Sequence, residues 1–473
     1  MKIISVDIGT SRIKTACFDE SGNMSCLLSK RLDRASSPNI QDADEWFQVT
    51  ATLLKELVEQ IGSSPDVIVL TGNMHALLGI DRFGNPVSPA VLWSDNSAVK
   101  ESEFLNERYE NELISISGNQ STPVFTLPKI MQMKQNRKDL YDRVCTFMQS
   151  KDYITFKLTG QRVTDPTDAS GVLGMDLNSG RWSEDFFADL KIDVVKLPEI
   201  LPSASVCGYI TAESAAVTGI QQGTPVVVGT GDLASAATGS GVDSNTVSLT
   251  LGTAGQLLAS GPHGEGRKLA RKLFVFANSN PEEELYLGSV PSGGFSFEWF
   301  SKLHNITVPD FFKLADSVPL SGNLPVFMPY VLGRGAPYMD YTPAGAWHKL
   351  NALHQLADLC KAAVFGALCP LRQCTDLLEA LTGTRKNIIL QALACREKAV
   401  RDCACALFKQ EKFIPANSEA SVLGAAVVGA VAMKCYSSIP AASETMIKST
   451  KVSDAAQGDA QALFDEFISF AGE

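Results

Sequence analysis

The stretch Lys2-Ile3-Ile4-Ser5-Val6-Asp7-Ile8-Gly9-Thr10-Ser11 decides the fold class. Its apolar run from Lys2 to Asp7 predicts a buried strand, and Ile8 to Ser11 has the composition of a tight turn. A second run, from Ile13 to Asp19, predicts another strand directly after that turn. The chain therefore opens with a strand, a Gly-Thr turn and a strand.

The segments that follow alternate between strand and helix patterns. Met24 to Arg31 predicts a third strand, and Val67 to Thr71 predicts a fourth. Between them, Asp44 to Ile61 carries apolar residues at helical spacing, with Asp44 as the expected N-cap. Alternation of this kind predicts an α/β fold.

A repeat of the opening unit suggests a duplicated fold. Leu251-Gly252-Thr253 follows the apolar run Thr246 to Leu249 and precedes Gly255 to Leu258. An apolar-Gly-Thr triplet also arises by chance, but this one begins the second of two similar halves. We predict domains at residues 1–242 and 243–473, packed around a shared cleft, with a docked terminal helix from Ala460 to Phe470.

Composition narrows the class of protein. The 473 residues carry 41 Lys and Arg against 52 Asp and Glu, a net charge of −11, which disfavours binding to nucleic acid or to an anionic membrane. The uncharged run from Val422 to Met433 is too short to span a bilayer, and Asp7 interrupts any signal-peptide core. We expect a soluble, cytoplasmic protein whose 11 cysteines are free thiols, with a zinc site as the less favoured alternative.

The first Gly-Thr turn has the groups needed to bind phosphate. Gly9 lets the backbone approach an anion, the hydroxyls of Thr10 and Ser11 can donate to it, and Lys14 adds a positive charge. Asp7 could hold Mg²⁺ through water. The alternative is a hairpin turn with a capping carboxylate. Gly252 and Thr253 would form a second phosphate-binding turn in the other half.

A second carboxylate lies at a predicted junction between a strand and a helix. Val226 to Val228 predicts a strand that runs through Gly229-Thr230-Gly231 into Asp232. Open α/β sheets bind ligands at such junctions, where Asp232 could accept a proton from a substrate hydroxyl. Alternatively, Asp232 caps the helix.

A histidine also follows a predicted strand, in Gly72-Asn73-Met74-His75-Ala76. Taken by itself, His75 is more often a core histidine than a ligand contact.

With these motifs identified, the chain resembles the FGGY carbohydrate kinases, and within that family its xylulokinase branch. The similarity runs from about residue 2 to residue 435. It rests on Asp7-Ile8-Gly9-Thr10-Ser11, Gln41-Asp42 with Trp46, Gly72-Asn73-Met74-His75, Leu92-Trp93-Ser94-Asp95, Phe125-Thr126-Leu127-Pro128-Lys129, Thr164-Asp165, Asp168-Ala169-Ser170-Gly171, Gly231-Asp232, Ser292-Gly293-Gly294 with Trp299, Phe327-Met328-Pro329-Tyr330 and Glu419 to Ala426.

The resemblance implies two actin-like (ribonuclease H-like, duplicated) domains around a central cleft, and transfer of the γ-phosphate of ATP, with Mg²⁺, to a sugar hydroxyl. It makes Asp232 the catalytic base and a sugar contact, and assigns Met74 and His75 to the ketose. It assigns Asp7 and Asp232 to Mg²⁺ through water, and Thr10 and Thr253 to phosphate. The N-terminal half would bind sugar and the C-terminal half nucleotide, in a possible homodimer.

The sequence departs from the family pattern at several positions. Asn73 replaces Gln, Leu233 replaces the Asn after the catalytic Asp, and Gly333-Arg334-Gly335 replaces Gly-Glu-Arg. The glycine-rich loop under adenosine corresponds to Gln391-Ala392-Leu393-Ala394-Cys395-Arg396, and the pattern from Ile388 to Phe408 is compatible with one continuous helix.

The predicted function is an ATP-dependent ketose kinase, with D-xylulose as the favoured sugar. Two alternatives stay open at this point. One is a catalytically weak sugar-binding or regulatory homologue that has lost the adenosine loop. The other is a kinase for another ketose or polyol, with a remodelled nucleotide site or another phosphoryl donor.

Overall fold

The computed structural model describes residues 1–33, 39–452 and 460–471, which form a mixed α/β fold with two large sheets. The first sheet has six strands, and its central strand Ile3–Ile8 is the apolar run predicted at the N-terminus. In spatial order the strands are Val206–Tyr209, Pro225–Gly231, Val67–Gly72, Ile3–Ile8, Arg12–Phe18 and Met24–Arg31.

The second sheet has seven strands and is built around Thr246–Leu251. In spatial order they are Phe274–Ala277, Glu283–Val290, Gly255–Pro262, Thr246–Leu251, Asn387–Ala392, Lys412–Pro415 and Ser449–Lys451.

The two sheets repeat one arrangement of strands. Ile3–Ile8 pairs antiparallel with the strand after its Gly-Thr turn and parallel with Val67–Gly72. Thr246–Leu251 likewise pairs antiparallel with the strand after its own Gly-Thr turn and parallel with Asn387–Ala392. The predicted duplication and α/β class are therefore confirmed.

Helices cover the sheets and connect their strands. In the first half they are Ala43–Ile61, Val99–Ser117, Thr126–Asn136, Lys138–Arg143, Ser150–Thr159, Pro166–Ser170, Glu184–Asp189, Ala212–Thr218 and Asp232–Ser240. In the second half they are Phe295–Leu303, Val308–Ser317, Leu356–Thr382, Leu393–Arg396, Lys398–Leu407, Ala420–Ala432, Ile439–Met446 and Ala460–Ala471. The last of these confirms the predicted terminal helix.

Five two-stranded sheets and two short 3₁₀ helices complete the described structure. The sheets pair Ile40–Gln41 with Ala90–Val91, Leu78–Ile80 with Thr146–Met148, Val163–Thr164 with Glu199–Ile200, Met175–Asp176 with Arg181–Trp182, and Val326–Met328 with Ala346–His348. The 3₁₀ helices are Val194–Lys196 and Gly266–Leu269.

The predicted N-cap of the first helix is wrong by two residues. Helix Ala43–Ile61 begins one residue before Asp44, and Asp42 caps it by accepting a hydrogen bond from the Asp44 backbone N–H at 2.9 Å. The Asp44 carboxylate accepts instead from the hydroxyl of Tyr153 at 2.6 Å.

The region from Ile388 to Phe408, whose pattern is compatible with one continuous helix, does not form one. Its first part is the strand Asn387–Ala392, which pairs in parallel with Thr246–Leu251 inside the second sheet. The strand ends at Ala392, whose φ of 54° lies in the left-handed region. Two helices, Leu393–Arg396 and Lys398–Leu407, follow.

The helix Ala420–Ala432, which we call the closing helix, packs against the first sheet although it lies late in the chain. It crosses helix Asp232–Ser240 at two glycines. A Cβ on Gly239 would lie 1.9 Å from the Ala420 carbonyl oxygen, and one on Gly424 would lie 1.9 Å from the Ser235 carbonyl oxygen. Only glycine allows this approach, so the two helices touch backbone to backbone.

Two further sequence expectations concern membranes and thiols. Within the described ranges, no helix has both the length and the apolar character that crossing a membrane requires. All 11 cysteines lie in these ranges as free thiols, most of them buried or partly buried.

Candidate active site

Three predicted site residues lie at one edge of the first sheet. Asp7 is near the carboxyl end of Ile3–Ile8, His75 follows the end of Val67–Gly72, and Asp232 directly follows Pro225–Gly231. These three strands are parallel neighbours, so their carboxyl ends meet. The fold thus builds a polar edge where open α/β sheets bind ligands.

Asp7 is a buried carboxylate with one oxygen engaged. Its Oδ2 accepts a hydrogen bond from the hydroxyl of Ser421, at the start of the closing helix, at 2.7 Å. Its Oδ1 is buried, and no described residue donates to it. Burial raises the pKa of Asp7, while Ser421 and the nearby charge of Lys14 act in the opposite direction. Asp7 therefore has a free acceptor in a site that disfavours unpaired negative charge.

Asp232 is the first residue of helix Asp232–Ser240, whose N-cap is Gly231. The residue is only partly buried. Burial and the neighbouring charge of Asp7 raise its pKa to about 7. A carboxyl group with a pKa near neutrality can accept and release a proton at physiological pH.

The pair Asp7 and Asp232 fits a divalent cation. Asp7 Oδ1 is an unsatisfied acceptor, and the mutual repulsion of the two carboxylates would be relieved by positive charge between them. Carboxylate oxygens that leave several positions to water suit Mg²⁺.

The first Gly-Thr turn is tightly built. A Cβ on Gly9 would lie 2.9 Å from the Arg12 carbonyl oxygen, so the turn requires glycine. The Thr10 hydroxyl oxygen accepts a hydrogen bond from the indole N–H of Trp93 at 3.0 Å. Because Trp93 takes an acceptor position, the hydroxyl hydrogen of Thr10 stays free to donate.

Lys14 is held by a partner that the sequence did not reveal. Its Nζ forms an ion pair with Glu419, beside the closing helix, at 2.6 Å, and both side chains are about one-quarter exposed. Lys14 stands opposite Asp7 across the hairpin. Its predicted contact with phosphate would therefore have to compete with Glu419.

The second Gly-Thr turn borders a cavity of about 300 Å³. The walls include the segment in which the family's glycine loop is replaced. The lining residues are Gly252, Thr253, Gly294, Phe297, Glu298, Val308, Ala392, Leu393 and Arg396. The substituted segment therefore borders open space instead of filling it.

Gln391, the first residue of the substituted segment, does not line this cavity. Its side-chain amide donates to the hydroxyl of Ser248 at 2.7 Å and also to the hydroxyl of Ser240. It joins the second sheet to the helix that begins at Asp232.

Met74 and His75 are buried just beyond the end of strand Val67–Gly72. A Cβ on Gly231 would lie 2.9 Å from the Met74 sulfur, so Met74 lies directly against the end of the strand that leads into Asp232. The His75 ring contacts Phe125 and Phe276, and its Nδ1 lies 2.8 Å from the Gly171 carbonyl oxygen. A carbonyl only accepts, so Nδ1 carries the proton.

His75 is neutral over the physiological range. Burial lowers its pKa to about 4, with Lys129 acting in the same direction and the Gly171 hydrogen bond opposing it. With the proton on Nδ1, Nε2 has a free lone pair, and no described residue bonds to it. His75 can therefore accept a hydrogen bond from a ligand hydroxyl.

A buried ionic cluster lies behind these residues, and sequence reasoning missed it. Lys151 Nζ lies 2.8 Å from Asp152, 3.0 Å from Asp165 and 3.0 Å from Asp168, with all four side chains buried. Burial raises the pKa of Asp168 well above its usual range, while the charge of Lys151 acts in the opposite direction. The only sequence signal was the family resemblance of Asp165 and Asp168; nothing marked Lys151.

Comparison with known proteins bears on this geometry. The model of the FGGY family of carbohydrate kinases, N-terminal domain, matches residues 2–239, and that of the C-terminal domain matches residues 285–433. Together they cover more than half of the chain. This chain belongs to the FGGY family of carbohydrate kinases. It is therefore a sugar kinase, a phosphotransferase with an alcohol acceptor, and the family implies ATP as its other substrate.

Individual relatives of this FGGY kinase include a xylulose kinase from Staphylococcus xylosus. It is 30% identical over 387 residues, which cover 80% of each chain. Two solved structures from Lactobacillus acidophilus share the fold at 22% identity. A xylulose kinase has a TM-score of 0.89 and a gluconate kinase 0.90, and each covers 100% of this chain, with 98% and 97% of their own lengths matched. Nearly equal scores for two substrates show that the fold alone does not identify the sugar.

Proposed function

We propose that this FGGY kinase transfers the γ-phosphate of ATP to a hydroxyl of a ketose, with D-xylulose as the preferred sugar and Asp232 as the catalytic base. The observation that carries the proposal is that Asp7, Asp232 and the Met74-His75 segment meet at the carboxyl ends of three neighbouring parallel strands. Met74 packs against Gly231, and the charge of Asp7 acts on Asp232. A phosphate near Asp7 and a sugar on Met74 and His75 could thus both reach Asp232.

The sugar would be held by shape and by one oriented acceptor. Met74 offers an apolar surface, and Nε2 of neutral His75 accepts a hydrogen bond from a sugar hydroxyl. Asp232 accepts the hydrogen of the hydroxyl that attacks. This alignment supplies most of the catalysis, because phosphoryl transfer has a loose transition state that depends on positioning.

Asp232 would take the proton as the new bond to phosphorus forms. Its pKa of about 7 lets it be charged when the sugar arrives and protonated after transfer. Thr10 and Thr253 would donate to phosphate oxygens from the two Gly-Thr turns, together with Gly9, Ser11, Lys14 and Gly252. Asp7 and Asp232 would hold Mg²⁺ through water, and bound Mg²⁺ supplies neutralisation of phosphate charge.

The preference for xylulose is supported by the xylulose kinase from Staphylococcus xylosus and by Met74-His75. A coupled assay of ADP release over a panel of ketoses, polyols and gluconate, with and without Mg²⁺, tests it. We expect the highest kcat/KM with D-xylulose and dependence on Mg²⁺. Sugar binding without ADP release under any condition would instead support the sugar-binding homologue, and a better polyol or aldonate would replace xylulose.

A further inference from the structure

His75 has a backbone conformation that a non-glycine residue adopts only under constraint. Its φ is 65°, in the left-handed region, where the Cβ crowds the following carbonyl. Such residues persist where surrounding contacts fix them. In the proposed function, the imidazole of His75 contacts the sugar. Residues that hold the His75 backbone in this conformation would therefore also set the position of that sugar contact.

Two side chains from separate helical segments fix the two polar backbone groups of His75. The His75 N–H donates to Gln149 Oε1 at 2.6 Å, and the His75 carbonyl accepts from Lys129 Nζ at 3.1 Å. Both side chains are almost completely buried, at 3% and 2% exposure. Both hydrogen bonds therefore lie in the interior of the protein.

Gln149 also joins His75 to the segment that orients its ring. Its Nε2 donates to the Asp168 carbonyl at 2.6 Å, three residues before Gly171, whose carbonyl bonds to His75 Nδ1. The backbone of His75, through Gln149, and its ring are thus both anchored to the short segment from Asp168 to Gly171. A shift of Gln149 would move both.

Lys129 is unusual because it is a buried cation bonded to backbone carbonyls. Besides His75, its Nζ donates to the Val124 carbonyl at 2.6 Å, and none of the described carboxylates forms an ion pair with it. Burial lowers the pKa of Lys129 to about 7, and the charge of Asp95 acts in the opposite direction. Burying a cation without an ion pair is costly, and two carbonyls compensate only in part. A methionine would fit this space without that cost, but it could not hold the His75 carbonyl.

We propose that Gln149 and Lys129 are positioning residues for sugar recognition, which act by holding His75 in its left-handed conformation. The inference rests on the proposed sugar contact of His75. It predicts that loss of either residue weakens sugar binding through His75 alone.

The test compares Gln149→Met and Lys129→Met with His75→Ala and with the double variant Gln149→Met/His75→Ala. Sugar affinity is measured by calorimetry without nucleotide, and KM and kcat by ADP release. Loss of one oriented hydrogen bond should raise the sugar Kd and KM about 3- to 10-fold. The ATP KM should stay within about twofold, because the phosphate-binding turns are untouched.

The double variant separates positioning from general damage. In the His75→Ala background, Gln149→Met should change sugar affinity less than about twofold. If Gln149 acts only through the His75 side chain, its effect disappears once that side chain is removed, so the two effects are not additive. Gln410→Met, a buried glutamine of the second half at 9% exposure, is the matched control and should leave the sugar Kd unchanged. Thermal unfolding of every variant identifies those that fail to fold, and Lys129→Met carries the test if Gln149→Met is among them.

The outcomes distinguish the positioning role of Gln149 and Lys129 from the sugar contact of His75 on which it rests. If His75→Ala weakens sugar binding but Gln149→Met multiplies that loss in full, the positioning role is refuted and the sugar contact stands. The positioning role is likewise refuted if both methionine variants bind sugar normally. If His75→Ala leaves sugar binding unchanged, the sugar contact itself is refuted.

Discussion

Ionised Asp232 is needed for catalysis in the proposed function, but its ionisation lowers the stability of the folded protein. The variant Asp232→Asn tests both effects. The Asn variant keeps the size of the side chain but cannot take a proton. We expect turnover to fall by about 10²- to 10⁴-fold, as when a positioned base is removed, while sugar still binds. ADP release and calorimetry with sugar measure these two quantities.

The effect on stability follows from the raised pKa. The folded protein holds the Asp232 proton up to about pH 7, whereas an unfolded chain releases it near 3.8. Between these values the folded state binds more protons, so wild-type stability falls as pH rises through this window. At about 1.4 kcal/mol per pH unit, the loss is at most about 4 kcal/mol.

Cleft water reduces this penalty, because the side chain is partly exposed. We expect Asp232→Asn to be more stable than wild type at pH 8 by about 1–2 kcal/mol, or about 1–2 °C in Tm for a chain of this size, with a smaller gain at pH 5. Thermal unfolding without ligands at both pH values measures it, and Asp189→Asn, on an exposed helix end, is the control. Equal effects at pH 5 and pH 8 would refute the raised pKa, and near-normal turnover would refute the assignment of the base.

Three further predictions concern nucleotide and phosphate. Since Ala392 and Leu393 replace the family's glycines, we expect the base to contribute little, so that GTP, ITP and tripolyphosphate compete with ATP in calorimetric titration; tight ATP binding with rejection of the others would contradict this. Trp93→Phe removes the N–H that orients the Thr10 hydroxyl and should raise the ATP KM about 2- to 10-fold while sugar KM stays constant; an unchanged ATP KM would argue against that orientation. Ser421→Ala removes a hydrogen bond that lowers the pKa of Asp7, so the acid limb of the kcat profile should move to higher pH, and a fixed limb would separate Asp7 from the chemistry.

The elements predicted correctly are those determined by local pattern. The strand Ile3–Ile8 is mostly apolar, the strand Thr246–Leu251 alternates polar and apolar residues, and a Gly-Thr turn follows each, so that they show the repeat directly. The segment from Ile388 to Phe408 has no such boundary. Its first residues form a strand because a distant strand, Thr246–Leu251, offers them backbone partners, and that pairing is not visible in a local window.

The residues of the candidate site also fall into those that local sequence predicts and those that it does not. Asp7 and Asp232 could be predicted because each lies at the carboxyl end of a strand pattern. The residues that set their environment could not, because the contacts join distant parts of the chain: Ser421 is 414 positions from Asp7. Gln149 and Lys129 also look ordinary in the sequence, and only their burial and hydrogen bonds distinguish them.

The late position of the closing helix has a consequence for biosynthesis. During translation, the first sheet has all six of its strands once residue 231 has been made, but the helix that covers one of its faces ends at Ala432. About 200 residues must therefore be synthesised while that apolar face has no permanent cover. A fragment ending near residue 242 would keep this exposed face and tend to aggregate, whereas adding the remainder as a separate chain could restore the missing helix in trans.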